Sequence, residues 1–343
     1  MRIHNLCLPL AALCALNLVS CGGGSGEGLG GPQVLIGGPT GDSTPTPVPV
    51  VLGAEATPEA AVETPSRSPM VVSLDWPSPD ASLPGLPSLA APRADAGLAG
   101  VIEAALAGAP GRTSVVVHNL ADGRYAAFNE NEVYYAASLF KMGILYEVYK
   151  QRDAGILDMQ RLLTLEAKYT EYDLGTLEPL GLVAGDMLTV EDAVGAMAVA
   201  SDTPTAVLLQ DTVGCDTADA TLKSLGTLHT EFCNRDLPAT AADMTRLIEA
   251  VAGGVGVSDA SRNEMLTLML EEYYRQGVIA GVPDGTFVAH KTGSYAAATH
   301  DVAVVWGHAG PYVISVLTDQ PSNWGPIAAV SAAVWTYFVD NPS

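Results

Sequence analysis

Thirteen of the 23 prolines in this chain lie from Pro32 to Pro92, mixed with Gly, Ser, Thr and Ala, and no helical or alternating apolar period runs through that stretch. Proline fixes φ and lacks a backbone donor, so such a run can neither sustain a helix nor complete the ladder of a central strand. Residues 21–93 therefore read as a tether, part polyproline-like and part coil, spanning roughly 45 Å if about 70 residues behave as a coil. Two short apolar patches inside it, Val48–Leu52 and Met70–Leu74, are not expected to form lasting strands. A core must come from the remainder, residues 94–343. With 48% hydrophobic residues overall, the chain has ample material for one.

The N-terminus carries its own message. Arg2 precedes an apolar run, Leu6 to Leu18, that is too short to span a bilayer as a permanent helix and reads as a signal peptide over residues 1–20. It ends in Leu18-Val19-Ser20-Cys21, followed by Gly22-Gly23-Gly24, which resembles the lipobox of bacterial lipoproteins. The resemblance implies cleavage before Cys21, a lipid on its thiol, and anchorage to the outer face of a bacterial membrane. Cys7 and Cys14 then leave with the signal, so Cys215 and Cys233 remain, either bridged or as two buried thiols. A bridge across that separation of 18 residues is worth roughly 3 kcal/mol. The net charge of −22 repels phosphate backbones, which excludes nucleic acid as a partner, and otherwise reads as a device for solubility.

In the folded part, apolar residues at helical spacing (Leu98, Val101, Ile102, Ala105, Leu106) predict a helix over Ala96–Ala107, stopped by Gly108 and Pro110. Ser114–Leu120 and Arg124–Asn129, separated by Ala121-Asp122-Gly123, read as a hairpin. Thr286–Thr292, Asp301–Trp306 and Tyr312–Thr318 read as three further strands, and Ile327–Val339 as a closing helix. The segment from Ser138 to about Arg275 is dominated by helical patterns. The expected fold is α/β (α+β): an antiparallel sheet of about five strands built by both ends of the chain, flanked by N- and C-terminal helices. An all-helical lobe is inserted between the strands.

Ser138-Leu139-Phe140-Lys141 leads into a helix, and the spacing of three turns Ser138 and Lys141 to one face near its start. A serine hydroxyl attacks only when a neighbour takes its proton, and a desolvated amine can do so. With 20 serines and 5 lysines, such a pair arises by chance roughly 0.3 times, so it needs company. Company is present: Ser201-Asp202-Thr203 follows the helical run Thr189–Val199, and Lys291-Thr292-Gly293-Ser294 lies on the first strand of the C-terminal half.

These three stretches resemble the S-x-x-K, S-D-N and K-T-G motifs of class A β-lactamases and penicillin-binding proteins, in the family's order. The resemblance runs from about Leu98 to the end, through Gly281-Val282-Pro283-Asp284-Gly285-Thr286 and His300-Asp301-Val302. It implies a serine hydrolase in which Ser138 attacks a β-lactam carbonyl, Lys141 relays the proton and Ser201 passes one to the departing nitrogen. Lys291 and Thr292 would face the substrate carboxylate, Gly293 would let substrate lie along the strand, and the N–H groups of Ser138 and Ser294 would hold the oxyanion. The implied partner is a β-lactam or a peptidoglycan-peptide-like small molecule, met by a monomer. No cofactor or metal is called for, and His118, His229, His290, His300 and His308 have no ligand spacing.

Two departures bear on substrate. Thr203 replaces the family's asparagine and offers one donor in place of two. The loop that carries the deacylating glutamate in class A enzymes is shortened to fewer than fifteen residues between Gly226 and Thr240. An ungapped count places Asp236 at the glutamate's position, with Glu231 the other nearby carboxylate, and a surface or capping role is expected of both. Three readings follow: a β-lactamase, a D-Ala-D-Ala peptidase or other amide or ester hydrolase that deacylates slowly, and a non-catalytic binding module of the cell envelope.

Overall fold

The computed structural model describes residues 67–76 and 83–342. The signal segment, Cys21 and the patch Val48–Leu52 lie outside them. In chain order the elements are β1 (Arg93–Ala94), α1 (Ala96–Leu106), β2 (Thr113–Asn119), β3 (Arg124–Phe128), β4 (Tyr134–Tyr135) and a 3-10 turn (Ala137–Leu139). They continue with α2 (Phe140–Asp153), β5 (Leu162–Thr164), α3 (Ala167–Thr170), α4 (Leu177–Leu180), β6 (Met187–Thr189), α5 (Val190–Val199), α6 (Thr203–Val213) and α7 (Cys215–Ser224). The last are β7 (Pro238–Ala239), α8 (Ala241–Gly253), α9 (Asp259–Leu270), a second 3-10 turn (Val278–Gly281), β8 (Val288–Tyr295), β9 (Ala298–Gly307), β10 (Gly310–Thr318) and α10 (Gly325–Asp340).

The main sheet has the order β1-β3-β2-β10-β9-β8, with the expected five strands antiparallel and the two-residue β1 added parallel to β3. Its centre is the pairing of β2 with β10, where Val116 lies opposite Ser315, so the two ends of the chain close on each other. Strand periodicity then divides the core in two. Val115 and Val117 of β2, with Ile314 and Val316 of β10, face Leu98, Ile102, Ile327, Val334 and Phe338 of the terminal helices α1 and α10. Val116, Val313 and Leu317 face the opposite way, toward Met244 and Leu247 of α8 in the helical lobe. Both faces are covered, which is why these strands read as unbroken apolar runs rather than alternating ones.

The expected tether ended too late. Residues 67–76 and 83–92 lie along the domain. Val71 bridges Met187 in parallel, and Val72, Leu74, Trp76, Leu83 and Leu86 pack against the lobe's core. Arg67 grips the buried Asp186 carboxylate with both terminal nitrogens, at 2.7 and 2.5 Å. The Trp76 indole donates to the Asp192 carbonyl at 3.1 Å and lies over Gly195 of α5, where a Cβ would come within 2.2 Å of its ring. Farther on, the Trp306 indole donates to the Pro84 carbonyl at 3.0 Å. Proline removes donors but not side chains. Val72, Leu74 and Trp76 alternate with Ser73 and Asp75, so one face of an extended strand is apolar and finds a partner in the lobe.

Candidate active site

The site lies where the helical lobe meets the outer strand β8. Tyr135, in β4, ends a short pairing with β7, and the next residue, Ala136, donates its N–H to the Leu237 carbonyl at 2.7 Å. The backbone then turns sharply: Ala137 has φ +46°, a left-handed conformation that costs an L-residue of order 1–3 kcal/mol. Gly293 of β8 permits the turn, since a Cβ there would lie 2.9 Å from the Ala136 carbonyl oxygen and 3.1 Å from Leu139 Cγ. Its missing side chain makes room for the protein's own serine turn, a role additional to the one the resemblance implies.

His300 of β9 fastens the same turn. Its Nε2 lies 2.8 Å from the Tyr135 carbonyl, which can only accept, and its Nδ1 accepts from the Thr318 N–H at 3.1 Å, so the neutral imidazole carries its proton on Nε2. Burial pushes this imidazole down to about 4, from an ordinary 6.5, against the pull of its backbone bonds to Tyr135 and Thr299. The native state refuses a proton that the unfolded chain binds, so His300 contributes stability above pH 6.5 that is lost as the pH falls toward 4. The loss expected is about 3 kcal/mol. Urea midpoints of the wild type and His300→Asn should converge as pH falls over that window, and a constant gap would refute this account of acid sensitivity.

Ser138 is partly exposed, while Lys141, the second residue of α2, is buried to 1%. The Lys141 Nζ lies 3.0 Å from Ser138 Oγ, 2.5 Å from the Ser201 carbonyl, 3.2 Å from Ser201 Oγ and 3.1 Å from Thr203 Oγ1. Burial holds this amine well below its ordinary 10.5, the positive Lys291 pushes the same way, and Asp202 and Glu272 only partly oppose them. A neutral amine has two N–H groups and one lone pair. The Ser201 carbonyl takes one N–H, and the lone pair is left for a hydroxyl, of which that of Ser138 is nearest.

Ser201 reaches this cluster because α5 and α6 meet at a corner. Its φ is +55°, and the next residue, Asp202, caps α6 by accepting the Thr205 N–H at 2.7 Å and also takes the Thr176 hydroxyl at 2.5 Å. Thus Ser138 and Lys141 are brought together as their spacing predicts, and Ser201 and Thr203 join them as the resemblance implies.

Lys291 and Thr292, which the resemblance turns toward a substrate carboxylate, have a carboxylate of the protein beside them. Both are buried, and both bond a residue the sequence reading missed, Glu272, just beyond α9. Lys291 Nζ donates to Glu272 Oε1 and, at 3.1 Å, to the Thr292 carbonyl. Thr292 gives its hydroxyl to Glu272 Oε1 at 2.6 Å and its N–H to Oε2 at 2.9 Å. Two adjacent acids, Glu271 and Glu272, are an ordinary surface pattern in sequence; only the fold exposes the first and buries the second to 1%. Since alternate N–H groups of an edge strand point outward together, the Ser294 N–H faces the open edge as that of Thr292 does.

The short loop before α8 is tightly held. Cys215 and Cys233 are bridged, the Phe232 and Cys233 N–H groups donate to Asp219 at 2.7 and 3.1 Å, and Phe232 is buried against Phe140. Glu231 pairs with Lys223 at the surface, at 3.3 Å. Asp236 is exposed, and its N–H bonds Asn234 Oδ1 at 3.0 Å. Of the other histidines, His118 pairs with Glu249 at 2.6 Å and His290 with Asp301 at 3.1 Å. Among the described residues no group of three His, Cys, Asp or Glu is arranged to hold a metal ion.

A sheet of this order with a serine–lysine pair at the foot of an inserted helical lobe defines a serine hydrolase of the β-lactamase-like kind. The chain belongs to the β-lactamase enzyme family, whose profile matches residues 97–338. Among solved structures it is similar to PBP-A, at 22% identity and a TM-score of 0.69 over 74% of this chain and 100% of that one. A mutant of PBP-A solved as an acyl-enzyme complex with penicillin G is similar to the same extent, at 23% identity, a TM-score of 0.69 and the same coverage of both chains. A β-lactamase from Sphaerobacter thermophilus is 25% identical, with a TM-score of 0.63 over 72% of this chain and 98% of that one. No curated protein sequence matches the chain.

Proposed function

We propose that the protein acylates Ser138 with a β-lactam or a related strained or activated amide or ester, and that release of the acyl group is the slow step. The observation that carries the reading is the buried Lys141 amine, 3.0 Å from Ser138 Oγ and 3.2 Å from Ser201 Oγ. Ser138 Oγ bonds to the carbonyl carbon as its proton moves to the Lys141 lone pair. That proton then passes through the Ser201 hydroxyl to the nitrogen or oxygen that departs when the scissile bond breaks. The N–H groups of Ser138 and Ser294 receive the oxyanion, a contribution of about 3–4 kcal/mol per donor in comparable sites. Thr203 lies beside the amine and faces the acyl side chain.

Hydrolysis of the ester needs a base for water. In class A enzymes the resemblance assigns this to a loop glutamate; here the loop is short and its nearest counterpart, Asp236, is exposed. That supports a long-lived acyl-enzyme over rapid turnover. The Cys21 motif supports attachment to the outer face of a bacterial membrane, with substrate met outside the cell. One chain carries every group of this scheme, which supports a monomer.

The test is a chromogenic cephalosporin followed by both colour and intact mass. A Ser138 adduct, absent from Ser138→Ala, should form and outlast the release of the first equivalent of chromophore, with deacylation at least about tenfold slower than acylation. Linear colour without adduct would instead make the protein an efficient β-lactamase. No colour and no adduct would favour the binding module.

A further inference from the structure

We propose that the short loop before α8 braces the catalytic pair, and that acylation of Ser138 depends on the oxidised Cys215–Cys233 bridge that closes it. Phe232 is the positioning residue. The proposal rests on the reading of Ser138 as the acylated residue. Two contacts carry it, one from each end of the loop. Phe232, 2% exposed, meets Phe140 edge to face with ring centroids 6.4 Å apart. Its ring also fills the space over Gly143 of α2, where a Cβ would come within 2.6 Å of it. Glycine is a poor residue for a helix interior, and here its bareness makes room for that ring. The Phe140 ring in turn lies 5.7 Å from Lys141 Nζ and forms one wall around the amine. At the other end of the loop Leu237, held at φ +40°, gives its carbonyl to the Ala136 N–H at 2.7 Å, just ahead of the left-handed Ala137. The loop thus reaches the lysine through two rings and the serine turn through one backbone bond.

The bridge ties Cys233, next to Phe232, to Cys215 at the start of α7. Gln210 of α6 adds to the hold: its Nε2 donates to the Phe232 carbonyl at 3.0 Å and lies 3.0 Å from Cys215 Sγ. Both cysteines are partly exposed, within reach of a dithiol. The dithiol gives two electrons and two protons to the S–S bond and closes to its own disulfide, leaving two thiols here. The freed loop has more conformations to sample and admits water beside Phe140. Burial, and then Lys291, holds the Lys141 amine below its ordinary 10.5 against Asp202 and Glu272. Those charges lie on other elements; of the loop's own, Arg235 and Asp236 are exposed and Glu231 pairs with Lys223. Loosening the loop therefore acts on the amine through water. Water favours its charged form, leaves less neutral amine at neutral pH, and moves the rising limb of acylation to higher pH.

Stopped-flow acylation of the full-length protein by a chromogenic cephalosporin, followed across pH, tests the brace. The oxidised protein is compared with protein reduced by a dithiol and then desalted free of it. Reduction should slow acylation at pH 7 by at least about tenfold and raise the limb by about one pH unit or more, and reoxidation should restore both. The double variant Cys215→Ser with Cys233→Ser should match the reduced protein. Phe232→Ala should do the same with the bridge intact, while Phe232→Leu, which keeps the wall apolar, should stay within about threefold of the wild type. A reduced protein that is folded, acylates within about twofold of the oxidised rate and keeps its limb in place would overturn the proposal. So would loss of the fold on reduction, which would make the bridge a staple of the whole domain. If Phe232→Ala does not fold, the reduced protein decides. An oxidised wild type that neither releases chromophore nor gains mass at Ser138 would overturn the acylation reading itself, and the proposal with it.

Discussion

Lys141→Ala is expected to slow acylation of Ser138 by roughly 10³-fold, at the upper part of the range for loss of a general base. Among the described residues no other group is placed to replace it. Ser201 and Thr203 offer hydroxyls, which are far weaker bases, and the buried carboxylates nearby have other partners: Asp202 caps α6 and Glu272 holds Lys291. Lys141→Arg should fail almost as badly, because a guanidinium stays charged and has no lone pair to give. The pH profile separates this role from simple packing. Acylation by the wild type should rise with pH as the amine loses its proton, at a pH well under the ordinary 10.5, because burial and then Lys291 favour the neutral form. In Lys141→Ala that limb should vanish along with the rate. Stopped-flow acylation across pH checks both, and a residual rate within tenfold of wild type with an intact limb would remove Lys141 from the mechanism. The same depressed amine costs stability below 10.5, where the unfolded chain binds a proton the native state refuses; this cost shrinks as pH rises toward 10.5.

Arg67→Ala with Trp76→Ala is expected to destabilise the folded domain by about 5 kcal/mol, a large share of the 5–15 kcal/mol typical of a domain. Removing Arg67 leaves the Asp186 carboxylate, fully buried, with only the Met70 and Val183 N–H groups, at 3.0 and 2.9 Å. Loss of one partner from such a pair costs about 3 kcal/mol. Removing Trp76 opens a void over Gly195 and deprives the Asp192 carbonyl of the indole N–H. Truncation of a half-buried Trp adds about 2 kcal/mol, below the range for a fully buried one. Denaturant unfolding of the full chain measures the sum, and a loss under 1 kcal/mol would return these residues to the tether. Acylation of the folded fraction should change little, since residues 67–76, a strap laid on the lobe, contact β6 and α5 and not the serine turn.

The strap also illustrates the limits of reading by composition. Thirteen prolines from Pro32 to Pro92 dominate the composition of a stretch that nevertheless holds a five-residue alternation, Val72 to Trp76, fit for a strand edge. The unusual Gly195, in the middle of α5, was its counterpart signal: a helix interior tolerates glycine at a cost, and something must need the space. Neither residue means anything without the other, and the strap's donors Leu74 and Trp76 lie 118 and 116 positions from their acceptor, Asp192 on α5.

The Ser138–Lys141 pair was legible in its spacing, and Ser201 and Thr203 through the resemblance of their motif. Ser138 and Lys141 face the same way because a helix repeats every 3.6 residues, and the paired terminal strands follow from apolar runs bounded by turns. Those are local properties, which a sequence determines through propensity and period. Tertiary structure alone decided that Ser201 adopts a left-handed backbone at the α5–α6 corner, that Gly293 serves the serine turn, and that Glu272 and not Glu271 is buried beneath Lys291. Each depends on which surfaces meet across the cleft. Burial, and with it the state of a charge, is a property of the partner as much as of the residue.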